Sequence, residues 1–267
     1  MPHLAGLVTV AFLASLLIGA AGFGFPGGRA AAWLIFTEIR LPRAILGALI
    51  GMSLGLAGAT LQGYLRNPLA EPGLLGVAGG ASLGAVVAIH SGATAAFALA
   101  LPLGGLLGAG LATLAVLVLA GHRSGPLTLI LAGVAIASLT GALTTLALNL
   151  SPNPFAAVEM VFWMLGSLND RSLVHVWIAS PLMLAGIGLL LTLGRDLDAL
   201  ALGEDSAASL GVDLARLRLK VVAGTALGVG AATAVAGTIG FVGLVVPHLL
   251  RPFVGAEPVL RSIIEQL

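Results

Sequence analysis

The ionisable residues of this chain are not spread along it. Of 12 Lys and Arg and 11 Asp and Glu residues, nine fall between positions 195 and 220, RDLDALALGEDSAASLGVDLARLRLK. They are Arg195, Asp196, Asp198, Glu204, Asp205, Asp213, Arg216, Arg218 and Lys220. Among them, Leu197, Leu200 and Leu202 precede Gly203, and Ala207, Ala208, Leu210, Val212 and Leu214 straddle Gly211. This spacing predicts two short helical pieces ending near glycine, each with one apolar side. The stretch is far longer than an ordinary helix connection needs. Charges interleaved with apolar strips suit recognition of another protein surface; a merely solvated loop is the alternative.

Bond-making chemistry finds little support elsewhere. The absence of Cys excludes disulfides, thiolate metal sites and Cys nucleophiles. Ser138 and Thr140 have no His or carboxylate close by in sequence, as a hydrolase would require. Hydroxyls in apolar helices more often bond to backbone or to a neighbouring helix. His90, His175 and His248 sit at or near the ends of apolar runs and read as interfacial or packing residues. No metal site and no cofactor is therefore expected. The net charge of +1, without a basic patch, argues against nucleic acid as a partner.

The elements that must hold these residues are membrane helices. Apolar residues make up 58% of the chain and charged residues 9%, with a mean hydropathy of +1.10. A soluble domain carries roughly 25% charged residues, so this chain cannot cover a soluble surface. Its 38 glycines suit helices that pack closely. About 20 apolar residues cross a bilayer core of roughly 30 Å. Runs that qualify lie at about 4–22, 43–63, 96–120, 127–149, 173–194 and 218–236, with two shorter Gly-rich candidates at about 76–90 and 238–253. The predicted fold class is all-α, a polytopic membrane helix bundle of about eight transmembrane helices forming one domain over 1–267. The first run lacks the basic n-region of a signal peptide and reads as a retained span. No Asp, Glu, Lys or Arg lies well inside any run, which weighs against a proton- or sodium-coupled carrier.

With the N-terminus inside, the inner segments hold Arg66, Arg123, Arg195, Arg216, Arg218, Lys220, Arg251 and Arg261. The outer segments then hold Arg29, Arg40, Arg43 and Arg171, so the positive-inside rule favours this orientation. Arg40 and Arg43 go against the rule and ask for their own explanation. Eight spans return the C-terminus to the inner side, where 257–267 reads as a short amphipathic surface helix. Segments 22–42 and 150–172 fall outside. The second contains a predicted helix from about Phe155 to Leu168, with Phe155, Val158, Val161, Phe162 and Leu165 on one face. The inner segment 63–76, GYLRNPLAEPGLLG, carries Pro68 and Pro72, so the backbone must leave helical geometry there. Irregular backbone at membrane depth is tolerated only beside protein or a water-filled cavity, and the loop reads as part of the inner mouth of a pathway.

Six motifs in order carry a family resemblance: IRLPR at 39–43, LQGYLRNPLAEPGLLGVAGGASLGA at 61–85, LILAGVAIA at 129–137, FWMLGSL at 162–168, LALGEDSAASLGV at 200–212 and GTIGFVGLVVPHLLR at 237–251. Together they resemble the permease subunits of type II ATP-binding-cassette importers for iron-siderophores, haem and vitamin B12, over residues 33 to 252. The resemblance implies an inner-membrane importer subunit working as a homodimer, or two similar subunits, with two cytoplasmic ATP-binding subunits and an external substrate-binding protein. A G-x-x-x-x-G-K-[ST] loop is absent from the sequence, so the ATPase is expected on a separate chain and this chain is not itself an enzyme. The polar stretch aligns with the family's coupling helices, which implies ATPase coupling through Leu200, Ala201, Leu202, Gly203, Glu204, Ala207, Leu210, Gly211 and Val212. By the same resemblance Arg40 and Arg43 dock the binding protein, and Asn67, Pro68 and Leu69 lie at the cytoplasmic gate.

Two departures stand out. Before the fifth span, Gly125, Pro126 and Leu127 replace the small hydroxyl residues of some members. Members of the family also continue for two more spans, ten in all, whereas this sequence stops at Leu267. The expectation is a form that inserts but does not import by itself. A truncated, inactive permease, or an ion-independent membrane scaffold or carrier, is the alternative reading. The transported chelate is not encoded in any of these motifs.

Overall fold

The computed structural model describes residues 2–19, 22–24, 28–121, 125–151 and 153–254. Helices dominate in this order: α1 Pro2–Leu17, α2 Arg29–Leu34, α3 Leu41–Tyr64, α4 Val77–His90, α5 Ala93–Ala96, α6 Ala100–Ala120, α7 Pro126–Asn149, α8 Pro154–Met164, α9 Leu173–Leu191, α10 Gly194–Ala201, α11 Glu204–Ser209, α12 Leu214–Ala236 and α13 Val242–Val254. Residues 18–19 and 22–23 pair as a minimal antiparallel ribbon after α1. The polytopic helical bundle is as the sequence predicts.

Several boundaries differ. The first run, expected at about 4–22, ends as helix at Leu17. More consequentially, the segment expected outside at 22–42 is largely helical. α2 and α3 are joined by π-type turns over Ile35–Arg40, giving one apolar helix from Arg29 to Tyr64, 36 residues long. The cause lies in IRLPR. Pro42 has no N–H, so the carbonyl one turn earlier loses its partner and the helix widens instead of ending. From sequence this run begins only at 43, after the polar residues Thr37, Glu38 and Arg40.

α3 and α12 form the centre. In each, 72% of the most apolar 18-residue window is buried, against 28% in α6, 33% in α7 and 28% in α9. The last three keep rows of exposed leucines, such as Leu107, Leu111 and Leu114 on α6, as lipid-facing helices do. These five helices, counting α2–α3 as one, have the length and apolarity to cross a membrane; α1, α4 and α8 contribute shorter apolar helices.

Glycine sets the spacing between helices. A Cβ on Gly84 would collide with the Gly104 carbonyl oxygen, and one on Gly108 with that of Gly80, so α4 and α6 meet backbone to backbone. Such contacts also fix direction. Leu168 lies 3.6 Å from the Cβ position of Gly47 at one end of α3, and Leu197 lies 3.9 Å from that of Gly63 at the other, so α9 runs beside α3 in the same sense. Gly186 abuts Gly228, and Leu190 abuts Gly224, so α12 runs opposite to α9. Gly58 abuts Gly243, and Gly55 abuts Val246, so α13 also runs opposite to α3.

α12 and α13 therefore point the same way, and the chain must return between them. Gly237 and Thr238 touch Trp163 and Gly166 near the Gly47 end of α3, whereas Gly243 touches Leu54 and Pro72 near the other end. From Gly47 to Gly58 is about 16 Å along a helix. Residues 237–241, which are not helical, make the return, and the chain turns into α13 at Phe241 (φ 65), where the Val242 N–H donates to the Gly240 carbonyl at 2.8 Å. This corrects the expectation that 238–253 is a span returning the chain to the inner side. The GTIGF segment makes the return, and α13 rises again from the end that carries Asn67. The residues expected to form a surface helix, 257–267, lie outside the described residues.

α8 corresponds to the helix expected at Phe155–Leu168 and stops at Met164. Asn153 caps it, its Oδ1 accepting from the Phe155 N–H at 2.9 Å with Pro154 in the first turn. Its buried side is Met160 and Trp163, packed on Ala85, Val86 and Ile89 of α4. The predicted apolar face at Phe155, Val158, Val161, Phe162 and Leu165 is exposed.

Replacing Gly84 by Val should force α4 from α6 and cost about 1–3 kcal/mol or more, as overpacking does. Gly110→Val on α6 has nothing within 4 Å of its Cβ and serves as the control. Thermal unfolding of the detergent-solubilised proteins is expected to show a lower midpoint for the first only. Equal midpoints would contradict the backbone contact.

Candidate functional site

The expected coupling residues form a compact feature between α9 and α12. α10 buries Leu197 and Leu200, and α11 buries Ala207. These anchors hold the segment to the bundle: Leu197 approaches Gly63 near the end of α3. The two pieces are separated by Gly203 at φ 109, and α11 is closed by Gly211 at φ 89, both conformations that side chains disfavour. The Gly211 N–H donates to the Ala208 carbonyl and the Val212 N–H to that of Ala207, a Schellman closure with Val212 packed against the core. Asp213 then caps α12, its Oδ1 accepting from the Ala215 and Arg216 N–H groups at 3.1 Å each, while its other oxygen pairs with Arg216 at 3.1 Å.

On the opposite side, Ala201, Leu202 and Leu210 are exposed, Leu202 by 70% and Leu210 by 66%. Gly203 and Glu204 are half-buried between them. Each leucine stands at the C-terminal end of its short helix, flanked by charged residues. Two protruding leucines on a charged platform are suited to a partner's apolar cleft.

The residues expected at the gate lie at the same end. α3 ends at Tyr64, Arg66 turns the chain at φ 49, and Asn67, Pro68 and Leu69 are all exposed, Leu69 by 73%. The Asn67 Oδ1 accepts from the Leu69 N–H at 2.9 Å, holding the turn around Pro68. A 3₁₀ turn, Pro72–Leu75, leads into α4, so the backbone leaves helical geometry as the two prolines predict. The Gln62 amide donates to the carbonyls of Ala70 and Leu244 at 3.4 Å each, joining this loop to the start of α13. Arg66 and Glu204 approach to 3.9 Å. That ion pair is exposed and adds little stability, but it places the loop against the head of α11. Sequence reasoning named both residues' neighbourhoods and missed the pairing, because 138 positions separate them.

At the other end, Arg40 and Arg43 have different surroundings. Arg40 is 3% exposed. Its Nη1 donates to the carbonyls of Leu16 at 2.9 Å and Leu17 at 2.8 Å, and its Nη2 donates to that of Gly24 at 2.5 Å. The guanidinium thus bonds two carbonyls at the C-terminus of α1, where a cation is favoured by the helix dipole, and ties them to Gly24, whose own N–H donates to the Leu17 carbonyl at 3.0 Å. A side chain so enclosed contrasts with the surface position expected of a docking residue. Arg43, one turn on, is half-buried. Gly125, Pro126 and Leu127 begin α7, with Leu127 68% exposed. His175 accepts from the Ser172 N–H at 3.3 Å and helps start α9, a structural position that matches its reading as a packing residue.

Changing Gly203 to Pro demands a φ near −65° where the backbone has +109°. The expected outcome is a normally inserted chain whose 195–213 region becomes protease-sensitive. Unaltered protection of that region, measured by limited proteolysis in nanodiscs, would mean that the α10–α11 geometry does not depend on this glycine.

Comparison with known proteins gives a consistent picture. The FecCD transport family model matches residues 7–264. An uncharacterised ABC transporter permease protein of Bacillus subtilis, YvrB, is 41% identical over 84% of this chain and 64% of its own length. The vitamin B12 import system permease protein BtuC of Vibrio cholerae is 42% identical over 82% of this chain and 66% of its own. The ferric enterobactin transport system permease protein FepD of Escherichia coli is 39% identical over 96% and 79%. Among solved structures, one described as an inward-facing conformation of a metal-chelate type ABC transporter superposes with a TM-score of 0.88 at 31% identity, covering 98% of this chain and 84% of that one. The chain spans about two thirds of the length of several of these curated relatives. With its motifs, its bundle and these matches in agreement, the chain belongs to the FecCD transport family.

Proposed function

We propose that this chain is the membrane permease of an ATP-binding-cassette importer that passes a chelated metal or a cobalamin-type ligand inward. The observation that carries the reading is the α10–α11 platform, anchored by Leu197, Leu200 and Ala207 and presenting Leu202 and Leu210. A permease without its own nucleotide site needs such a surface to receive two separate ATP-binding subunits. Similarity to permeases named for vitamin B12 and ferric enterobactin supports the ligand class; the individual ligand is left to the external binding protein that delivers it. The chain lies in the inner membrane with its N-terminus and the platform on the cytoplasmic side, and a second permease copy completes the pathway.

Closure of the ATP-binding subunits moves the platform, and the movement reaches Asn67, Pro68 and Leu69 through two contacts. One is Leu197 against Gly63 at the end of α3; the other is Glu204 beside Arg66 at the start of the loop. The exposed, proline-bent loop then opens or closes the inner mouth.

The test is assembly followed by transport. Leu202→Asp with Leu210→Asp touches no buried position and should leave thermal stability unchanged. It is expected to reduce co-purification of the ATP-binding subunits about tenfold or more, as loss of apolar hot spots does. ATP-dependent uptake of siderophore or cobalamin into vesicles should fall in parallel. Full assembly and uptake by the double variant would refute the platform's role.

A further inference from the structure

We infer that Gln62 is a positioning residue of the inner mouth: its buried side chain clasps the proline-bent loop to the start of α13, so that loop and helix move as one body. The inference rests on the importer reading above and gives α13 a part in gating. Three observations carry it.

The first is a closed ring of hydrogen bonds around the loop. The Gln62 carbonyl accepts from the Asn67 N–H at 3.1 Å, and the Asn67 carbonyl accepts from the Ala70 N–H at 3.1 Å. The Ala70 carbonyl then accepts from the Gln62 Nε2 at 3.4 Å. One residue of α3 therefore holds both ends of the bend that carries Pro68 and Leu69. Leu69 is exposed while Ala70 is fully buried, so the ring roots an open lip in the bundle.

The second is where the other N–H of the same amide goes. The Gln62 Nε2 also donates to the Leu244 carbonyl at 3.4 Å, in the first turn of α13. A carbonyl oxygen has two lone pairs, so Leu244 can accept this bond and still serve its own helix. Packing repeats the connection on the far side of the loop. The Cβ position of Gly243 lies 2.6 Å from Pro72 Cδ and 3.0 Å from the Leu54 carbonyl oxygen. The start of α13 is thus seated on α3 and on the loop together. A displacement of the 70–72 stretch carries Gly243 and Leu244 with it.

The third is that the clasp is releasable and its joints are strained. Gln62 is buried, and a buried amide must keep acceptors for its N–H groups. Both of its bonds nevertheless exceed the common N–H···O length of about 2.9 Å. Neither carbonyl is held tightly, and the amide can lean towards either. The chain enters each clasped segment through a non-glycine residue with left-handed backbone, Arg66 at φ 49 before the loop and Phe241 at φ 65 before α13. Side chains disfavour that region, bulky ones most of all. Strain of this kind collects where a segment switches position. Two strained joints with a clasp between them describe a body that swings.

Backbone hydrogen–deuterium exchange, read by mass spectrometry on the permease–ATPase complex in nanodiscs, is the test. In the unaltered complex, trapping with ATP and vanadate should change exchange in 66–72 and in 239–247 together. Gln62→Met keeps the length of the side chain and removes both N–H groups. It is expected to speed exchange in 66–72 about fivefold, as loss of one hydrogen bond does, and to abolish the trapped-state response of 239–247. ATP hydrolysis should persist, while uptake per ATP, measured with a panel of ferric siderophores and cobalamin, falls about fivefold or more. Gln62→Leu should give the same uncoupling and serves if the Met variant does not fold. A response of 66–72 alone in the unaltered complex overturns the clasp. So does a Gln62→Met complex with a lower thermal midpoint, a joint response and unaltered uptake per ATP, which would make Gln62 a structural staple. An unaltered complex that imports while neither segment responds overturns the clasp and leaves the importer reading standing. If that complex imports nothing, the clasp falls together with the importer reading.

Discussion

Enclosure of α3 is the constraint on which the rest of the structure depends. A helix surrounded by protein leaves its neighbours no room for ordinary side chains at every contact, so they approach at glycine. Gly55 and Gly58 admit α13, Gly47 admits the turn after α8, and Gly63 admits α10. Each of these contacts joins α3 to a different part of the chain: the turn that ends at Arg171, the start of α13 after the return, and the α10–α11 platform. A central rod touched at both ends by separate surface features is a natural carrier of movement between them. Packed interfaces have discrete arrangements and do not stretch.

The two ends of that rod are built on different principles. At the α10 end, shape is set by local turn chemistry: Gly203, Gly211, the Asp213 cap and the Asn67 turn are each legible from a few neighbouring residues. At the Arg43 end, the arrangement is tertiary. Arg40 reaches back to α1, and Arg171 arrives from the far side of α8. Nothing within ten residues of either position announces these meetings.

This difference explains what the sequence disclosed. Apolar runs placed the long helices, and the clustering of charge between 195 and 220 marked the platform with its two short helices and terminal glycines. Charge also misled. The outer segment to which Arg40 was assigned is a continuous helix, because a cation can be satisfied by the carbonyls of a helix end as well as by solvent. Hydropathy likewise assigned α13 the wrong direction. A window average records that a segment is apolar and cannot register that the five residues before it have already crossed back. The pairing of Arg66 with Glu204 was invisible for the simplest reason: one-dimensional spacing carries no information about which loops share an end.

The return between Gly237 and Phe241 has a consequence for how the protein is made. A helix can be released into lipid alone, since it satisfies its own backbone. A non-helical stretch cannot; its amide and carbonyl groups need protein beside them when they leave the translocon. For this stretch the neighbours are α3 and the end of α8, where the Thr238 hydroxyl donates to the Met164 carbonyl and the backbone of Gly166 abuts Thr238. Both precede it in the chain and so are synthesised first. Biogenesis in the natural order therefore delivers the segment to a prepared seat. A rearranged gene that placed α12 and α13 ahead of α3 would encode every contact of the finished protein and still strand its nascent chain at the membrane.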